Sequence, residues 1–238
     1  MRVAIIQPNY LPWRGYFDII GDVDLFVFLD DTQYTRRDWR NRNRIKTREG
    51  LKWIIVPVQH APRNILIKDV TIDESHNWCT GQLNQLREAY GKAPYFNQYY
   101  PQLEVLLRGH SPNLCDFAIQ TVRWGMYALG IHTPLVRSSQ LGSTGSKQEK
   151  ILNILRATGA SAYVSGPAAR DYLCPDAFER AGIDLLYKVY QYPEYNQLWG
   201  GFEPGVSIID LLFNLGPGAA AVLKSQAALE HCAQPVAS

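Results

Sequence analysis

The chain has 238 residues, of which 46% are hydrophobic and 19% charged, with a formal net charge of +2. That balance describes a globular chain long enough to bury a substantial core, and it excludes a low-complexity or disordered polymer. Positive charge is local, since seven of the 24 basic residues fall between Arg36 and Arg48; a nucleic-acid-binding protein usually carries a broader basic surface. No apolar stretch approaches the length of a membrane helix, and the opening MRVAIIQPNY reads as a strand rather than a signal peptide. A cytoplasmic protein without a membrane partner is expected. The four cysteines, Cys79, Cys115, Cys174 and Cys232, have neither CxxC nor zinc-ligand spacing, which predicts reduced side chains rather than disulfides or ligands.

In chain order, Arg2 to Gln7 is a short apolar run rich in β-branched residues and closed by Pro8-Asn9, the pattern of a buried strand. Trp13 to Gly21 fits a short helix with Phe17 and Ile20 on one face, and Leu25 to Leu29 a second strand, so the three suggest a right-handed βαβ crossover. A charged loop follows, then strands over Lys52 to Val58 and Ile65 to Ile72. Helices are predicted at Trp78 to Tyr90, at Gln102 to Arg108, and from Ser111-Pro112 to Leu129, where serine caps, proline starts and Gly130 ends the last. The α/β pattern then returns. Strands are expected at Pro134 to Arg137, Ala162 to Val164 and Asp184 to Val189, with a helix over Lys147 to Thr158. Ser207-Ile208-Ile209-Asp210 has the spacing of a capping box leading the helix Leu211 to Leu215, and the alanine-rich tail after Pro217 reads as a helix with a frayed end. The fold class that results is α/β: a Rossmann-like, mostly parallel sheet with flanking helices and a helical section over about residues 75–130. Residues 1–216 are expected to form one domain and 217–238 a tail.

Three segments can carry chemistry. In the first, an apolar strand ends on Asp30 and Asp31, followed by Gln33, Tyr34, Arg36, Arg37, Trp39, Arg40, Asn41, Arg42, Asn43, Arg44 and Lys46. Ligands of open α/β sheets bind beyond the carboxyl ends of strands, and arginine forks suit phosphate or carboxylate. A solvated loop held by its own salt bridges is the plainer alternative; Tyr34 and Trp39 within so polar a stretch favour a grip on a ring-shaped ligand. The second segment is the turn Gln7, Asn9, Tyr10, Trp13, Gly15 and Tyr16, which occupies the phosphate-binding position of a βαβ unit without being a P-loop or GxGxxG. It reads equally well as a rigid aromatic turn. The third is Ser165-Gly166-Pro167, whose amides could hold an anion beside Arg170. The Gly142 to Lys147 loop lacks Walker spacing and reads as a flexible connection. The five histidines lack metal-ligand spacing and no hydrolase signature appears, so no metal is expected, and a general base would be Asp30 or Asp31.

These segments resemble the WbqC-like family of bacterial proteins. The residues that carry the resemblance are Gln7 to Trp13, Gly15-Tyr16-Phe17, Asp30 to Tyr34, Arg36 to Lys46, Ser165-Gly166-Pro167 and Ser207 to Asp210, and it covers about residues 1–216. It implies association with O-antigen or other surface-polysaccharide genes and assigns no catalytic residue. A more distant similarity is to pantothenate synthetase and related nucleotidyltransferases. Trp13-Arg14-Gly15-Tyr16 stands where those proteins carry HxGH, Gln33-Tyr34 where they carry a Gln-Phe pair, and Tyr163 to Gly166 near their later turn. Aromatic residues replace both histidines, which disfavours ATP-dependent adenylation.

The resulting expectation is a transferase of surface-polysaccharide or nucleotide-sugar metabolism that moves an acyl or aminoacyl group to an amino sugar. Arg36, Arg37, Arg40, Arg42 and Lys46 would bind phosphates, Asp30 or Asp31 would orient or deprotonate the acceptor amine, and Trp13, Tyr16 and Trp39 would bound the ring pocket. The partner expected is a small phosphate-containing molecule. A noncatalytic protein binding RNA or a sugar nucleotide is the rival, with tRNA the less favoured partner, and an adenylating ligase is the third. The sequence singles out no cofactor and no oligomeric state.

Overall fold

Along the first strand Val3 and Ile5 join one buried apolar cluster and Ala4 joins another. This is the period-two alternation that makes a strand the middle layer between two cores. The computed structural model of the chain describes residues 1–232. In chain order its elements are β1 (Arg2–Ile6), α1 (Arg14–Gly21), β2 (Leu25–Phe28), β3 (Arg42–Thr47), β4 (Gly50–Ile55), α2 (Trp78–Tyr90), α3 (Phe96–Arg108), α4 (Leu114–Leu129) and β5 (Leu135–Arg137). There follow α5 (Lys147–Ala157), β6 (Ala162–Ser165), α6 (Pro175–Arg180), β7 (Asp184–Tyr187), α7 (Ile208–Leu215) and β8 (Glu230–His231). Six strands form one sheet in the order β5-β2-β1-β6-β7-β8, and β3 pairs with β4 in a separate antiparallel ribbon. All neighbours in the large sheet are parallel except β7 and β8. The fold is a Rossmann-like α/β sheet flanked by helices, as the sequence pattern predicts. Among the described residues no helix is long and apolar enough to cross a membrane.

Four sequence expectations change. The second half of the charged loop is the strand β3: Asn43, Ile45 and Thr47 are buried while Arg42 and Arg44 stay part-exposed. Two of its inward positions are polar, which hides the alternation. Ile65 to Ile72 is not a strand, for it makes only isolated bridges around a 3-10 turn at Ile67–Asp69. There Ile67, Val70 and Ile72 are buried anchors rather than ladder residues. Helix α3 begins at Phe96 and continues past Pro101 because Phe96, Tyr99, Tyr100, Leu103 and Leu107 give it a continuous buried face. The tail forms a 3-10 turn over Gly216–Val222 and then β8 instead of a helix. Gly216 has φ +55°, a left-handed position that ends α7. The expected tail beyond residue 232 lies outside the described residues.

Distant segments close the fold. Helix α4 starts two residues after the expected proline, with Asn113 as its cap accepting from the Asp116 amide at 3.0 Å. The Ser207 amide donates to the Arg44 carbonyl at 2.8 Å and its hydroxyl to the Leu11 carbonyl at 2.7 Å, while the Ile208 amide reaches Pro12. Asp210 is buried and does not complete a capping box. Its carboxylate accepts from the Tyr90 hydroxyl at 2.9 Å and the Tyr195 hydroxyl at 2.8 Å. Burial raises its pKa, against the opposing effect of these hydrogen bonds. On α1, buried Asp18 pairs with buried Lys188 at 2.8 Å, and Asp22 contacts the same lysine. The Asp18 carboxylate also accepts from the Tyr192 hydroxyl at 2.8 Å and the Ser225 amide at 3.0 Å.

Candidate functional site at the sheet switch point

From β1 the chain moves outward to β2 and β5 on one side, then returns to fill β6 and β7 on the other. The crevice between the carboxyl ends of β1 and β6 is therefore the topological switch point, the place where open α/β sheets bind ligands. A cleft of about 700 Å³ opens there. Its floor comes from strand residues Ile5, Ile6, Tyr163 and Ser165, and aromatic walls come from Trp13, Tyr16, Trp39, Tyr172 and Tyr190. Arg40, Lys147 and Lys150 also line it, whereas among the described residues no aspartate or glutamate does.

Arg40 and Lys150 are held by carboxylates. Arg40 donates from Nη1 to Asn9 Oδ1 at 3.3 Å and pairs through Nη2 with Asp38 at 3.2 Å; its buried Nε has no hydrogen-bond partner. Burial lowers the Arg40 pKa, while neighbouring Asp38 raises it. Lys150 projects from α5 and lies 2.7 Å from Asp31 Oδ2. Asp31 in turn accepts from the Ser138 hydroxyl. Lys147 sits one turn earlier on the same helix, so the two lysines share a face.

The aromatic wall depends on two close approaches. A Cβ on Gly15 would overlap the Trp13 indole, so this glycine is what lets the ring lie over the start of α1. Trp13 then packs edge-on against Tyr190, with centroids 4.9 Å apart. Gly15→Ala is expected to displace the indole and destabilise the fold by about 1–3 kcal/mol, the usual cost of overpacking. Thermal unfolding and indole fluorescence would check this, and an unchanged spectrum would refute the seating argument. A second, smaller cavity of about 240 Å³ shares Asn9, Trp13 and Trp39 with the large cleft, and Pro12, Asn43, Arg44 and Gly205 complete it.

A match to a family model adds to this geometry. Residues 7–222 match the model of the WbqC-like protein family. The chain belongs to that family. The WbqC-like chain is also similar to the uncharacterized protein Rv1507c of Mycobacterium tuberculosis (strain ATCC 25618 / H37Rv). The two are 43% identical over 221 residues, which cover 92% of this chain and 95% of the relative. No solved structure gives a significant match.

Of the residues singled out in the sequence, this WbqC-like fold brings Gln7, Asn9, Trp13, Tyr16, Trp39, Arg40, Ser165 and Gly166 to the large cleft. The others take different places. Asp30 is fully buried, its carboxylate accepting from the Ser138 hydroxyl, the Ser139 amide and the Ser139 hydroxyl at 2.8–3.1 Å. Tyr10 is enclosed beside Phe117 and accepts from Gln82, and Tyr34 is buried in the same core. Asn41 donates to the Val56 carbonyl at 2.8 Å, and buried Lys46 to the Gly201 carbonyl at 2.8 Å. Gln33 and Arg36 hold the Arg63 and Ala61 carbonyls on the exposed side. Arg37 has φ +57° and gives its carbonyl to Arg42, whose guanidinium lies 4.2 Å from the Trp53 ring centre. Arg170 pairs with Glu230 over the Tyr187 ring.

Sequence reasoning passed over Lys150 and Tyr190, set Lys147 aside with its loop, and named Arg44 and Tyr172 within candidate segments without giving either a role. The available signal for the lysines was two cations three apart at the start of a helix following a strand. Among the described residues no group of three or more His, Cys, Asp or Glu side chains could hold a metal.

Proposed function

We propose that the switch-point cleft binds the phosphates and ring of a nucleotide-linked sugar, and that this WbqC-like protein is a transferase of bacterial surface-polysaccharide or nucleotide-sugar metabolism. One observation carries the substrate class: three cations and six aromatic rings line a single cleft that, among the described residues, no carboxylate enters. Cations in a partly dry cleft attract anions more strongly than they do in water, and the rings supply stacking faces. Arg40, Lys147 and Lys150 are the phosphate ligands in this reading, joined by the backbone amides after Ser165.

The reaction we assign is transfer of an acyl or aminoacyl group to an amine of the sugar. Of the two carboxylates, Asp31 is the one coupled to the cleft: it fixes Lys150 and through that lysine positions the substrate phosphates. Asp30, with its oxygens engaged by serines, holds the turn after β5 in place.

Calorimetric titration with UDP, UDP-N-acetylglucosamine and uridine tests the binding reading. The two phosphorylated probes are expected to bind at least about tenfold more tightly than the nucleoside, with affinity falling as salt rises. Equal binding of all three, or none, would remove the phosphate site. Turnover is checked by the mass gained by an amino-sugar nucleotide incubated with a coenzyme A thioester or an aminoacyl-tRNA.

A further inference from the structure

The small cavity beside the cleft is constructed as carefully as the cleft itself. Trp13 forms one wall and Trp39 another, with Trp39 38% exposed at the rim. Among the described residues the cavity's single charged side chain is Arg44. Its guanidinium is fixed from several directions. Nη2 donates to the Gly205 carbonyl at 3.2 Å, and a Cβ on Gly205 would come within 2.7 Å of the same nitrogen. The guanidinium carbon also lies 5.7 Å from the Trp39 ring centre and 6.0 Å from that of Trp53. Asn43 fixes the strand beneath, accepting from the Arg44 amide at 2.8 Å and donating to the Leu11 carbonyl at 2.8 Å. Among the described residues no ion pair to a carboxylate is found for Arg44, and its buried Nε has no hydrogen-bond partner.

We propose that this cavity holds the sugar ring of the nucleotide sugar and that Arg44 recognises a carboxylate on that ring, so the substrate class is a nucleotide-linked acidic sugar. The inference rests on the nucleotide-sugar reading of the large cleft and narrows it. The two cavities share Asn9, Trp13 and Trp39, so one ligand can thread from the phosphate-binding cations to the smaller space without leaving the protein. About 240 Å³ suits one ring rather than a nucleotide. Indole faces accept the apolar C–H face of a sugar, and one preorganised guanidinium matches one singly charged carboxylate. A phosphate monoester, with a charge nearer −2, would be left undercompensated by Arg44 alone.

UDP-glucuronate and UDP-glucose differ only in the carboxylate at C6 and are the probes. The wild-type protein is expected to bind UDP-glucuronate about tenfold more tightly, the scale of one charge-assisted hydrogen bond. Arg44→Gln should bring the two Kd values to within about twofold of each other by weakening UDP-glucuronate more than UDP-glucose. Gly205→Ala, which crowds the guanidinium without removing it, should erode the same preference and keeps the test alive if Arg44→Gln fails to fold. No preference in the wild type, or a preference that survives both changes, overturns the acidic-sugar assignment while leaving the nucleotide site standing. Failure of UDP and both UDP-sugars to bind overturns the nucleotide reading itself.

Discussion

Replacing Lys188 with methionine is expected to lower the free energy of unfolding by about 3–5 kcal/mol, the range for removing one member of a buried ion pair. The Lys188 and Asp18 side chains are 3% and 0% exposed and 2.8 Å apart. Without the ammonium, Asp18 keeps only the Tyr192 hydroxyl and the Ser225 amide, and one of its oxygens has no partner even in the intact protein. Two hydrogen bonds do not balance a desolvated charge. Urea denaturation of Lys188→Met should show the loss as a lower midpoint with an unchanged slope. Adding Asp18→Asn to that variant should recover part of it, since the amide oxygen still accepts and no charge remains. If Lys188→Met alone unfolds like the wild type, the pair does not anchor α1 to the end of β7.

Arg40→Met carries the largest expected functional effect, a fall in nucleotide affinity of about two orders of magnitude. Arg40 is nearly as enclosed as Lys150, with side chains 14% and 10% exposed, but its carboxylate partner Asp38 is more exposed than Asp31, at 31% against 15%. Its partner Asp38 is part-exposed and retains the Thr35 hydroxyl and the Trp39 amide, each at 2.7 Å. The variant should therefore stay folded, with a thermal midpoint close to that of the wild type. Titration with UDP is the measurement, and affinity within a factor of about two of the wild type would take Arg40 out of the phosphate site. Arg40→Lys should fall between, because an ammonium keeps the charge but not the planar fork that spans Asn9 and Asp38.

The parallel sheet was legible because β1, β2 and β6 are short apolar runs closed by turn residues, and the helix faces because Trp78, Leu83, Leu86 and Tyr90 repeat at helical spacing. Strand β3 was not. Its inward Asn43 is paid for by two carbonyls from a turn some thirty residues earlier, a tertiary compensation that no local pattern displays. The two strand-end turns at Gln7 and Ser165 were found from their positions after strands. Lys150 was missed because its meaning comes from Asp31, 119 residues away on another turn. The composition of the Arg36 to Lys46 segment exaggerated its share of the cleft. Only Trp39 and Arg40 of that run line the larger space, while Lys46 and Asn41 tie down backbone carbonyls. A run of cations in sequence says where charge is concentrated, not which charges share a face once the backbone turns.

Ser207 ties the end of the fold to its beginning, bonding Leu11 across a separation of 196 residues. Such contacts are slow to form, because the chain must close a very long loop before any stabilisation is returned. A ribosome delivers Leu11, Trp13 and Arg44 long before it delivers Ser207 and Gly205, so the nascent chain carries the aromatic turn and the arginine strand without the segment that fixes them. Assembly of this corner is thereby tied to completion of synthesis. A shortened product ending before residue 205 keeps the central strand β1 yet lacks the piece that aligns its turn.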